Sequence, residues 1–300
     1  MMELTYKIKK NDSYQNVNSV LSNKFHISAR LLSTLIKKKC ITVNNQLTDT
    51  RNTIKSEDII CINLNYEEDN SNIVPTKMDL SILYEDEWLL IINKPAGIAI
   101  HPSILHFSDS LSNGVRYYFD SINLKKKIRP VNRLDFNTSG IVIFAKCEYI
   151  QQCLSLQMAN HTFEKNYLAL IDGILSHKRG TINLPIARKP NSIIERCIDF
   201  ENGQNSITHY EVFKEFKNTN KSLVKCTLET GRTHQIRVHF SAIGHPLIGD
   251  SLYGSPSSLI SRQALHCYRV CFIHPVTEKK ICLESSMPKD FLKYIDDKLC

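Results

Sequence analysis

The 300-residue chain is 42% hydrophobic and 23% charged, the profile of a soluble globular protein with room for one large and one small domain. Its formal net charge of +8 points to a polyanionic partner or to a solvated cationic surface. The N-terminus lacks the apolar core of a signal peptide, and no apolar run nears the ~18 residues that cross a bilayer, so a cytoplasmic protein is expected.

Residues 1–65 hold ten Lys or Arg against five Asp or Glu. Ser28 is placed to cap a helix whose Leu31, Leu32, Leu35 and Ile36 fall on one face. Arg30, Lys37, Lys38 and Lys39 project from the rest of that helix or its end. The β-branched run Ile41-Thr42-Val43 predicts a strand, Asn44-Asn45 a turn, and Ile59 to Leu64 a closing strand. The result is a small α+β module whose cationic face is either simply solvated or follows a phosphate backbone. Over roughly residues 13–64 this order of elements resembles the S4 RNA-binding domain, which implies RNA docking by the first domain.

Tyr66 to Asn72 is polar and aperiodic, and residues 66–78 are read as a linker to a domain spanning 79–300. Short β-type runs then recur at Leu89–Ile92, Ile141–Phe144, Tyr167–Ile171 and Leu223–Leu228, while Tyr149 to Met158 is the best helix. Many strands and few helices predict an α+β domain around a largely antiparallel mixed sheet. The ten cysteines are scattered and read as small buried hydrophobes of a reducing compartment. His266, Cys267, Cys271 and His274 lie close together, but their segment reads as a strand that points His266 and Cys267 to opposite faces. No metal site is expected there.

Two constellations carry candidate chemistry. The first is Asn132-Arg133-Leu134-Asp135-Phe136-Asn137-Thr138-Ser139-Gly140, a loop feeding the buried-looking strand at Ile141. A carboxylate beside small hydroxyls and a glycine can be held ionised by backbone N–H groups and serve as nucleophile or base, although the same pattern describes an Asx turn. The second is Thr230-Gly231-Arg232-Thr233-His234-Gln235-Ile236-Arg237-Val238-His239. Strand-like spacing would put Gln235, Arg237 and His239 on one face, suited to nucleobase edges or phosphates, and Ile236 and Val238 toward the core. No phosphate-cradling glycine loop, Cys-x-x-Cys pair or His-Glu-x-x-His helix occurs, so neither NTP-driven nor zinc chemistry is expected.

Five stretches in order, Ile91 to Gly97, Arg133 to Gly140, Lys165-Asn166-Tyr167, Thr230 to His239 and Gly244 to Asp250, resemble the RluA-type family of RNA pseudouridine synthases. The resemblance implies isomerisation of uridine in RNA with no cofactor, Asp135 being the catalytic aspartate that attacks the sugar or abstracts a sugar proton. It makes Arg237 the partner that holds Asp135 ionised and Tyr167 the residue that packs on the target base. It also places Arg133 to fill the stack a flipped nucleotide leaves. Arg232, His234 and Gln235 join Arg30 and Lys37 to Lys39 as candidate RNA contacts. Asn132 stands where the family often has histidine and is read as a changed RNA contact; Ser206 stands where alanine is usual. The expected substrate is large-subunit ribosomal RNA, with transfer RNA as runner-up and a monomeric enzyme. The rival readings are a non-catalytic RNA-binding protein and a hydrolase pairing Asp135 with His234 or His239.

Overall fold

A computed structural model describes residues 2–254, 257–258, 260–292 and 295. The first unit comprises β1 (Glu3–Lys7), α1 (Val17–Asn23), α2 (Ala29–Lys37), β2 (Ile41–Val43), β3 (Gln46–Leu47) and β4 (Ile59–Asn63). Its four strands form one sheet in the order β1-β4-β2-β3. Ser28 caps α2 through its side chain, which accepts from the Leu31 amide, and Leu31 and Leu35 are fully buried beneath the sheet. Ile36, expected on the apolar face, is instead half-exposed at the helix end.

The second unit begins with β5 (Ile82–Glu85), β6 (Leu89–Lys94), α3 (Leu111–Ser121), β7 (Ser139–Ala145), α4 (Glu148–Ala159) and β8 (Glu164–Asp172). It continues through β9 (Arg179–Asn183), β10 (Ile186–Arg188), β11 (Arg196–Ile198), β12 (Ile207–Phe216) and β13 (Lys221–Leu228). It closes with α5 (Gln235–Ala242), β14 (Leu265–Ile273) and β15 (Lys280–Glu284). Nine strands build one sheet in the order β5-β6-β7-β14-β8-β13-β12-β9, with β15 paired to β14, while β10 and β11 form a separate hairpin. Every pairing in the large sheet is antiparallel except β7 with β14. The fold is therefore α+β with a largely antiparallel mixed sheet. The run Ile141 to Ala145 is apolar throughout because β7 lies mid-sheet and is buried on both faces.

The polar stretch after residue 65 carries no helix or strand, yet it is tied to the large unit. Glu68 forms a buried two-pronged pair with Arg129, Nη1 donating at 2.8 Å, and the Asn70 side chain bonds the Ile128 amide and the Lys126 carbonyl. Lys126 in turn donates to the carbonyls of Leu64 and Tyr66. One reading of the cysteines needs correction. Cys271 and Cys282 face each other across β14 and β15 with Cα atoms 4.2 Å apart and are joined in a disulfide, because the strand register brings them together. His266, on β14, turns to Ser139, its ring Nδ1 3.0 Å from the hydroxyl.

Across the sheet centre Gly140, Cys267 and Tyr167 lie in register on β7, β14 and β8. Gly140 has φ +120°, and a Cβ there would stand 2.2 Å from the Cys267 carbonyl oxygen, so only glycine lets β7 and β14 approach. Gly140→Ala is expected to lower stability by about 3 kcal/mol through clash and backbone strain, read as an earlier urea midpoint at unchanged m-value.

Candidate active site

The loop before β7 lines a cleft of about 540 Å³. Asn132, on its near side, donates to the Ile141 carbonyl and accepts from the Ile143 amide, each at 2.9 Å. Both polar ends of that buried side chain hold β7, which corrects its reading as an RNA contact. At the far side the Thr138 amide donates to the Asp135 carbonyl at 3.0 Å. Arg262 donates to the Asn137 carbonyl at 3.1 Å and Gln263 to the Thr138 hydroxyl at 3.2 Å. Lys94, fully buried at the end of β6, donates to the carbonyls of Pro95, Ile98 and Phe136, each at 2.9 Å. Burial first, and then Arg262, pull its pKa down to about 7, while Asp135 acts in the opposite direction. Three carbonyl acceptors match the three protons of an ammonium, so we take Lys94 as the charged brace of the loop.

Asp135 is thereby aimed into the cleft, one quarter of its side chain exposed. Its Oδ2 accepts from Arg237 Nη1 at 3.2 Å, and among the described residues Oδ1 has no hydrogen-bond partner. Arg237 is buried and also grips Asp250, Nε and Nη2 donating to its two oxygens at 2.7 and 2.8 Å. Asp250 is fully buried, and its carboxylate further accepts from the Leu252 and Tyr253 amides, which with Arg237 hold its pKa down against burial. The guanidinium also lies over the Tyr253 ring, 5.0 Å from its centroid.

Arg237 does not lie on a strand as its alternating neighbours suggested; it belongs to α5. His234 takes a left-handed conformation, φ 59°, that turns the chain into the helix. Gln235 to Phe240 are all buried, so polar and apolar residues alike face protein and the alternation marks no sheet face. Gln235 accepts from the Thr230 hydroxyl and the Arg232 amide, and donates to the Ile207 carbonyl and the Thr208 hydroxyl. All four bonds are internal, and Gln235, expected as an RNA contact, is buried in the wall of the cleft. His239 is likewise buried, between Thr208 and the Leu184 carbonyl.

His234 borders the cleft with Nδ1 2.8 Å from the Tyr253 hydroxyl and Nε2 3.9 Å from Asp135. Burial outweighs the attraction of Asp135 and lowers its pKa, keeping the ring neutral. At 3.9 Å the two are not hydrogen-bonded, which disfavours the hydrolase dyad. Tyr167 lines the cleft from β8, and burial raises its phenol well above the usual value, helped by Cys267 and Asp135. It is therefore a protonated donor and a flat surface rather than a phenolate base. Lys165, one repeat earlier on the same strand face, lines the cleft too, its pKa lowered by burial.

Arg133 and Arg232 are exposed at the rim, Arg232 donating to the Asn205 carbonyl at 3.2 Å. Arg30 and Lys37 to Lys39 are exposed on the first unit. Arg30 stands 3.6 Å from Glu148, and Lys38 lies over the Tyr66 ring at 5.0 Å. Sequence reasoning missed Lys94 and Asp250 as braces of the site. Both sit inside stretches that carried the resemblance, but a buried polar contact leaves no periodicity to detect.

The RNA pseudouridylate synthase family model matches residues 88–242. The chain is 39% identical to the uncharacterised RNA pseudouridine synthase YhcT of Bacillus subtilis, over 91% of this chain and 89% of that protein. It is 33% identical to ribosomal large subunit pseudouridine synthase D of Neisseria meningitidis, over 86% of this chain and 72% of that one. The solved structure of human RNA pseudouridylate synthase domain containing 1 superposes with a TM-score of 0.58 at 30% identity, covering 73% of this chain and 87% of that chain. The chain belongs to the RluA-type family of RNA pseudouridine synthases and is an isomerase acting on RNA.

Arg237→Met should leave Asp250 charged and buried without its partner, at a cost of about 3–5 kcal/mol in urea unfolding. Arg237→Lys keeps the charge but not the fork, and is expected to recover part of that stability with little turnover.

Proposed function

We propose that this member of the family isomerises uridines of large-subunit ribosomal RNA, with Asp135 as the catalytic carboxylate. The observation that carries the reading is a carboxylate aimed into the cleft, one oxygen held by Arg237 and the other without a hydrogen-bond partner among the described residues. A guanidinium at 3.2 Å orients the carboxylate for either route, attack on C1′ or removal of a sugar proton. The N1–C1′ bond breaks, the uracil turns, C5 bonds to C1′, and the C5 proton leaves as N1 gains one. Tyr167 offers a flat ring for the freed base and a protonated hydroxyl beside it. Arg133, exposed on the rim, is placed to fill the gap left by the extruded nucleotide.

Two observations support a ribosomal target. Relatives that bear the name ribosomal large subunit pseudouridine synthase D align over most of the chain, in Neisseria meningitidis and in Zymomonas mobilis. The first unit, read as S4-like, presents Lys37, Lys38 and Lys39 to solvent at the end of α2, where they can follow phosphates. A non-catalytic RNA-binding role would not require the Asp135–Arg237–Asp250 arrangement, which is intact.

Asp135→Asn should reduce tritium release from [5-³H]uridine-labelled RNA by about 10³-fold or more while RNA affinity stays close to wild type. Turnover by that variant would remove Asp135 from the mechanism. Pseudouridine mapping of total RNA from cells with and without the protein should show missing sites in large-subunit ribosomal RNA; changes confined to transfer RNA would overturn the target.

Replacing Lys37, Lys38 and Lys39 together by Gln should cut the slope of log K against log salt by about 2, at ~0.7 for each phosphate no longer neutralised. An unchanged slope would remove the first unit from RNA docking.

A further inference from the structure

Beside the cleft lies a second cavity of about 360 Å³, between the β10–β11 hairpin and the chain entering α5. Four arginines line it, Arg133, Arg188, Arg196 and Arg232, together with the amides Asn202 and Gln204 and no carboxylate. Among the described residues none of the four has an ion-pair partner. Glu195, the acid nearest in sequence, pairs instead with Lys189 at 3.0 Å. Arg188 and Arg196 are directly opposed in the hairpin register. Like charges facing each other across a strand pair destabilise it unless an anion lies between them.

The hairpin is not free to carry this charge away from the cleft. The Arg196 amide donates to the Tyr253 hydroxyl at 2.7 Å, and that hydroxyl lies 2.8 Å from His234 at the start of α5. Arg196 also donates to the carbonyls of Ile194 and Glu195, which orients its guanidinium without neutralising it. Arg133, Arg232 and Thr233 line both cavities, so the cleft and the arginine-lined cavity are neighbours that share these residues as a wall.

We propose that this cavity binds the backbone phosphodiesters of the RNA strand next to the extruded nucleotide. The proposal rests on the reading of the cleft as the uridine site. A strand whose target nucleotide occupies the cleft must continue out of it, carrying one negative charge per nucleotide. Guanidinium groups match phosphate oxygens with two parallel bonds, which a lysine cannot provide. One phosphate bridging Arg188 and Arg196 converts their repulsion into two ion pairs, and Arg133 and Arg232 meet the next phosphate toward the cleft. RNA binding thereby locks the hairpin over the site and fixes the direction of the strand.

The test compares the wild-type protein with Arg188→Gln/Arg196→Gln and with a charge-matched control, Lys214→Gln/Lys217→Gln. Binding of a fluorescent twelve-nucleotide oligouridylate is followed by anisotropy across a salt series. The arginine pair should bind at least tenfold more weakly at 100 mM salt and lose about 0.7 from the salt slope, the share of the one phosphate they bridge, while the control keeps both. Its KM for labelled total RNA in the tritium-release assay should rise at least fivefold, and Arg188→Lys/Arg196→Lys should recover most of the salt slope. Equal weakening in both pairs, or oligouridylate binding unchanged in the arginine pair, would overturn the proposal. Absence of tritium release from the wild type would instead sink the reading of the cleft, while the anisotropy comparison still decides the phosphate site.

Discussion

The site depends on one guanidinium shared between two carboxylates. Arg237 is buried, and a buried cation is stable only with an anion in contact and its donors satisfied. Asp250 meets most of that demand with two bonds and no exposure, so Arg237 is fixed before any substrate arrives. Of the donors left, Nη1 is directed at Asp135. The division explains why one carboxylate is sealed in protein and the other faces the cleft. The sealed one neutralises and orients the guanidinium; the open one lines the cleft.

The other braces follow from the same constraint. A carboxylate held by a single bond needs a loop that does not move, and the loop carrying Asp135 is tied to both sides of the sheet. Lys94 and Gly97 reach Phe136 from one side, and Arg262 and Gln263 reach Asn137 and Thr138 from the other. Gly140 then lets β7 lie against β14 closely enough for those bonds to form.

Much of this was legible in the residues, for reasons that differ from element to element. Ile141 to Phe144 reads as a buried strand because an unbroken apolar run suits the middle of a sheet. Ser28 is legible as a cap because its side chain has a local task. The helix at Gln235 was not legible, since alternation predicts a strand only where one face meets water. Here Gln235, Arg237 and His239 are buried with internal partners, so the pattern carried no information about exposure. Asp250 and Lys94 escaped for a related reason: their partners lie on other elements, and only the fold brings them together. Asn132 invites a reading as an RNA contact, yet its amide serves the backbone of β7.

The parallel pairing of β7 with β14 has a consequence for how the molecule comes into being. Its partners are far apart in the chain, Ser139 meeting His266 and Gly140 meeting Cys267, and Arg262 and Gln263 brace the aspartate loop from just before β14. Pairings of such sequence separation form late, after the entropy of closing a long loop has been overcome. A nascent chain that has emerged only as far as Arg237 already holds the carboxylate, the tyrosine and the guanidinium, but it lacks Asp250 and the strand that seats the loop. The carboxylate and guanidinium of the cleft thus reach their arrangement only once the residues from Asp250 to Cys267 have joined the fold.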